Sequence, residues 1–322
     1  MAQKAAPPRP GATRPRGRPT SGTPTRGLPK PLLIAGFILA VVAIIGVGLS
    51  LSRGGGQIGG AIATLQTADF HALAFSPDNP NAVFFGHHNG IMRSDDGGRT
   101  WMSLVERQNF DAMGLAVSRT NGRQVYLAGH NVFQVSTNGG ASWQPVDHNL
   151  PGTDIHGFAM SPDDPNRLYA FVVGSGVFQS GDGGRTWQAL SDKVPGDIMG
   201  MAAAGGTPET LYAGSMRFGV LRSTDGGQSW KPAMQTGNAA SLFALAVDPA
   251  AHQTVYAGGE GGLYKSTDAG ATWSKLPFPA NNVVAIAISP AEPSVVLAIS
   301  VQGQQGLVYR SEDGGQSWGK SQ

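Results

Sequence analysis

The chain has 322 residues, no cysteine, 47 glycines and only 14% charged residues, with a formal net charge of +2. Disulfides and thiolate metal sites are therefore excluded, and so much glycine with so little charge suits an all-β protein with many tight turns better than a helical bundle. Residues 1–60 hold eight Lys or Arg and no acid, so the rest is mildly acidic, and nucleic acid is disfavoured as a partner.

Residues 1–30 are rich in Pro and Arg; a segment that cannot pack a core is expected to be a disordered tail. Leu32 to Leu51 is an uncharged, mostly apolar run of 20 residues, and a helix of that length spans about 30 Å, the thickness of a bilayer core. A cleaved signal peptide would have a shorter basic region, a shorter apolar run and a small-residue cleavage site. The expectation is a single transmembrane helix over 31–52, with the basic tail cytoplasmic by the positive-inside rule, where it would meet anionic lipid. Residues 53–60, rich in glycine, read as a flexible linker. Residues 61–322 would then lie outside the cytoplasm, anchored to the cell membrane.

From there the sequence repeats. SDDGGRTW (94–101) returns as STNGGASW, SGDGGRTW, STDGGQSW, STDAGATW and SEDGGQSW, with first residues Ser94, Ser136, Ser180, Ser223, Ser266 and Ser311. The spacings of 42, 44, 43, 43 and 45 residues mark a solenoid or propeller. Each period has one plan. HALAFS (71–76) alternates as a strand would, SPDNPN turns the chain, and AVFFGH, GIMRS and TWMSL supply three more strands. Four short strands per period predict a six-bladed β-propeller. The last period stops early, and AIATLQT (61–67) precedes the first; that piece is expected to complete the last blade and remove the open edges.

The octets resemble the Asp-box, or BNR, repeat, Ser-x-Asp-x-Gly-x-Thr-Trp, over residues 71–318. Its carboxylate column is Asp96, Asp182, Asp225, Asp268 and Asp313, with Asn138 in the second copy, and its last column holds all six tryptophans: Trp101, Trp143, Trp187, Trp230, Trp273 and Trp318. A short carboxylate accepts backbone N–H groups in the turn, glycine supplies positive φ, and each Trp is expected to pin its hairpin to its own blade. Asn138 cannot serve as an acid, so the repeated motif reads as a fastener. The resemblance extends to sialidases, other Asp-box glycoside hydrolases, sortilin-type receptors and photosystem II assembly factors, a set of enzymes and non-enzymes that leaves activity open.

The residues do not assemble a sialidase site. The Arg-Ile-Pro signature is missing, Tyr126, Tyr169, Tyr212 and Tyr256 share one repeated strand position, and only five Glu occur. Aligning the periods exposes other columns. His71, Met113, His156, Met199, Phe243 and Val284 open the first strands, preceded by Asp69, Asp111, Asp154 and Asp197 in the first four. The second strands end at His88, His130, Val173, Met216, Glu260 and Val301, with His87 beside His88. Antiparallel pairing puts both columns at one mouth of the channel. Imidazole and thioether favour copper; the same ring also suits packing between blades or a protein or carbohydrate ligand. The expectation is a binding or assembly module. The alternatives are a glycoside hydrolase using Asp69, Asp111, Asp154 and Asp197, and a metal-binding protein using the His/Met ring.

Overall fold

A computed structural model describes residues 60–234 and 241–319. The predicted tail, the predicted transmembrane segment and nearly all of the linker lie outside these residues. Among the described residues no helix is long and apolar enough to cross a membrane.

Among the described residues, twenty-four strands form six antiparallel four-stranded sheets. Each sheet is one period of the sequence, spanning 72–106, 114–145, 155–191, 198–234 and 242–275 in the first five blades. The inner strand of each blade packs on the inner strands of both neighbours, and the sixth returns to the first. The protein is an all-β, six-bladed propeller. Ala63–Leu65 supplies the outer strand of the sixth blade, pairing antiparallel with Gly306–Val308. This is the closure expected from the unassigned N-terminal piece.

Two details depart from the sequence reading. The outer strand of the first blade begins at Met102 rather than Thr100, because Thr100 is held in the turn by Asp96. The tryptophans also do more than fasten their own blades. Trp143 packs against a cluster that joins Phe84 and Ile91 of the first blade to Val125 and Leu127 of the second, and the Trp273 indole donates to Ala233 O of the preceding blade at 3.2 Å. The core is a set of wedges between adjacent blades. Close approach is needed there: a Cβ on Gly114 would stand 2.6 Å from the Phe158 Cβ of the next inner strand.

The Asp boxes show the expected hydrogen bonds. In the third copy Asp182 accepts the Arg185 and Thr186 amides at 3.0 and 2.9 Å and the Thr186 hydroxyl at 2.6 Å. The Trp187 indole donates to Gly184 O at 2.8 Å. Asn138 keeps the pattern, accepting the Ser142 amide at 2.9 Å and donating to the Ser142 hydroxyl at 2.8 Å.

Candidate functional site

The inner strands line the channel. His71, Met113, His156, Met199, Phe243 and Val284 surround a central cavity at one end. Leu73, Leu115, Phe158, Met201, Leu245 and Ile286 form an apolar girdle between it and a second cavity. A β-bulge aims part of this wall. In the third blade Ile155 pairs with Val172 and Gly157 with Phe171, so His156 has no partner in the ladder. Met199, Phe243 and Val284 occupy the same bulged position in the next three blades.

At this mouth side chains from four blades meet in an arc. Asp111, 2% exposed and just ahead of the second inner strand, is its hub. One carboxylate oxygen takes His130 Nδ1 at 2.5 Å and lies 3.2 Å from His88 Nδ1, while the other lies 3.1 Å from His71 Nε2. The His71–Asp111 approach is off the line of a hydrogen bond, and both atoms are buried without a hydrogen-bond partner. Burial alone would raise the Asp111 carboxyl, but the polar contacts and positive potential of His71 and His130 outweigh it and hold the group at about 2.

The arc continues through His130. Its residue forms a β-bridge with Asp154, which places the imidazole over the start of the third blade. His130 Nε2 stands 2.9 Å from His156 Nε2 and 3.1 Å from Asp154 Oδ1, and His156 Nε2 is 3.0 Å from the same oxygen. The other nitrogen of His156 lies 3.2 Å from Met199 Sδ. Burial pushes the His156 imidazole below its ordinary range, although Asp154 opposes it.

The rest of the two columns falls elsewhere. Asp69 is exposed; its carboxylate accepts the Phe70 amide and its carbonyl the Thr67 hydroxyl. Asp197 accepts the Ser215 hydroxyl and the Arg217 backbone and guanidinium N–H groups. His87 is buried against Phe85, and burial lowers its pKa. It lines a cleft with Thr67, Trp101 and Glu106. Met216 is 45% exposed, and Glu260 is exposed beside its β-bridge partner Asn282.

The opposite channel end holds a pair the sequence reading missed. Arg119 of the second blade donates to Pro249 O of the fifth at 2.5 Å and lies 3.5 Å from His252 Nε2. A signal was present: Arg119 stands where Pro77, Pro162, Pro249 and Pro290 stand in other periods.

Six blades, closed by an N-terminal strand and fastened by Ser-Asp-Gly-Trp turns, define an Asp-box propeller. The chain resembles the Asp-box (BNR) repeat β-propellers, and two family patterns each match part of it. The pattern described as photosynthesis system II assembly factor YCF48 matches residues 62–210, and that described as sortilin, neurotensin receptor 3, matches residues 219–322. No curated protein sequence matches the chain significantly. Among solved structures, the GH74 xyloglucanase from Xanthomonas campestris is 21% identical with a TM-score of 0.56, over 80% of this chain and 46% of that one. The GH74 enzyme of Niastella koreensis is 19% identical with a TM-score of 0.53, over 78% and 46%. YCF48 bound to D1 peptide is 20% identical with a TM-score of 0.52, over 80% and 83%. This chain thus spans under half the length of the two GH74 structures. At these identities the likeness is one of fold.

Proposed function

We propose that the propeller is a membrane-anchored, extracytoplasmic binding or assembly module that takes a segment of a partner protein at the histidine-bearing mouth. One observation carries this reading. Val173, Met216 and Phe218, three of the four exposed large hydrophobic residues among those described, lie on the hairpin tips of two adjacent blades at that end. Val173 is tied to the cluster itself, its amide donating to Asp154 O at 2.9 Å. Apolar residues gathered beside polar ones are the pattern of a protein-recognition patch. A propeller of the same fold bound to a peptide supports the choice of partner. The apolar run 32–51 and the basic tail before it support the anchor.

The hydrolase alternative is less well supported. A general acid must hold its proton near neutral pH, whereas Asp111 is held ionised and Asp197 is occupied by Arg217. A photo-crosslinking amino acid at Phe218 in membrane-embedded protein is expected to capture a discrete partner. The same group at exposed Gln316, at the Asp-box end, is expected to capture none. Equal labelling from the two positions, or none from Phe218, overturns the reading.

A further inference from the structure

His130 Nε2, His156 Nε2 and Asp154 Oδ1 form a triangle with edges of 2.9, 3.0 and 3.1 Å. Donor atoms held about 2.0–2.2 Å from one ion at right to tetrahedral angles stand roughly 2.9–3.5 Å apart. The triangle has that size.

Proton placement points the same way. Carboxylate Asp111 takes the proton of His130 Nδ1, so a neutral His130 presents a bare Nε2 to the triangle. His156 Nδ1 faces the Met199 thioether, which accepts but cannot donate. With its single N–H directed there, His156 also presents a bare Nε2. Asp154 Oδ1 is a buried atom with no hydrogen-bond partner. Three electron-pair donors then converge with no proton among them. Moving the His156 proton to Nε2 would leave Nδ1 lone-pair-on against sulfur and Asp154 Oδ1 still unpaired. A cation relieves both conflicts.

We propose that His130, His156 and Asp154 bind one divalent first-row transition ion, zinc or copper(II), with Asp111 as the positioning residue for His130. Asp111 stands to His130 as carboxylates stand to metal-bound histidines, fixing the ring and its tautomer. Met199 touches the far nitrogen of His156 and orients the ring without ligating. The donor set is therefore two imidazoles and a carboxylate, which suits zinc as well as copper. The site holds independently of what the mouth captures.

The test uses the full-length chain without a histidine tag, in detergent, stripped with chelator and dialysed against Zn²⁺ or Cu²⁺. About one tightly held ion per chain is expected. His130→Ala and His156→Ala should each abolish it, and His71→Ala and Met199→Leu should keep it. Asp111→Asn should weaken affinity about 10- to 100-fold. Asp154→Asn, at a half-exposed residue, removes one ligand and keeps the readout if a histidine variant fails to fold; it too should lose the ion. No tight ion in the wild type overturns the proposal, as does uptake that survives His130→Ala and His156→Ala. Loss on His71→Ala with retention in His130→Ala would overturn it equally.

Discussion

The Tyr256 hydroxyl of the fifth blade donates to Gly314 O in the Asp box of the sixth at 2.9 Å. Tyr212 does the same to Ala269 O of the fifth blade at 3.0 Å. Third-strand cations repeat the gesture: Arg93 reaches Gly139 O, Lys265 reaches Gly314 O, and Arg310 reaches Gly97 O across the seam between last and first blades. Tyr169, Tyr212 and Tyr256 of the tyrosine column are thus latches between neighbours, whereas the Tyr126 hydroxyl accepts from Gln124 of its own blade. Desolvation drives the Tyr256 hydroxyl well above its usual range, so it stays a donor at any working pH. Tyr256→Phe is expected to cost about 0.5–1.5 kcal/mol, since Lys265 still serves the Gly314 carbonyl. Urea unfolding at pH 7 reads this directly; an unchanged midpoint would mean that the latch contributes nothing.

The Asp boxes should make the ring acid-sensitive in a defined window. The Thr186 hydroxyl, followed by the Thr186 amide, holds Asp182 at about 2 against an ordinary 3.8. The side-chain hydroxyls of Ser229, Thr272 and Ser317 lead the same shift at Asp225, Asp268 and Asp313. A carboxyl depressed in the folded state stabilises fully above its unfolded value and loses that contribution as protons bind. The Asp-box contribution to stability should therefore be flat above about pH 5 and be lost between about 3.8 and 2. Asp182→Asn, mimicking the working Asn138 turn, should melt higher than Asp182→Ala; the reverse order would contradict the role given to the turn.

The six tryptophans are not equivalent. Trp187 is 5% exposed and its indole is bonded, whereas the buried Trp143 Nε1 has no partner. Trp187→Ala should cost about 3–5 kcal/mol. Trp143→Phe forfeits no hydrogen bond and should cost clearly less than Trp187→Phe. Thermal melts of the two Phe variants decide the ranking.

Gly129 offers a way to disturb the cluster without touching it. A Cβ there would overlap the Asp111 carbonyl, so Gly129→Ala must push the hub carboxylate from its place. An overpacking cost of about 1–3 kcal/mol is expected, together with altered imidazole resonances of His130 in NMR spectra. Unshifted His130 signals would show that the hub tolerates displacement.

Much of this architecture was legible because it repeats. Six copies of one octet fix the blade number, and the short last period beside a spare strand-like piece reveals the closure. The candidate site was legible only as columns. Asp111, Asp154 and Asp197 look alike in sequence, yet Asp197 is claimed by Arg217, which stands where the third period has Gly174. Asp111 and Asp154 meet only because His130 leans across to the next blade. Contacts of that kind depend on tilt between blades, which no single period encodes. The bulge at His156 is equally silent, since an extra residue in one strand shows only in the register of its partner.

The sixth blade joins Ala63–Leu65 to Gly306–Val308. During synthesis the first of these segments leaves the ribosome ahead of the other strands of the ring, and its partner belongs to the last of them. The circle can therefore be sealed only once the sixth blade has been made, and a ribosome stalled before Gly306 yields blades with two unpaired edges. Ring closure waits for the final strand, so products shortened before Gly306 keep open strand edges rather than the sealed seam.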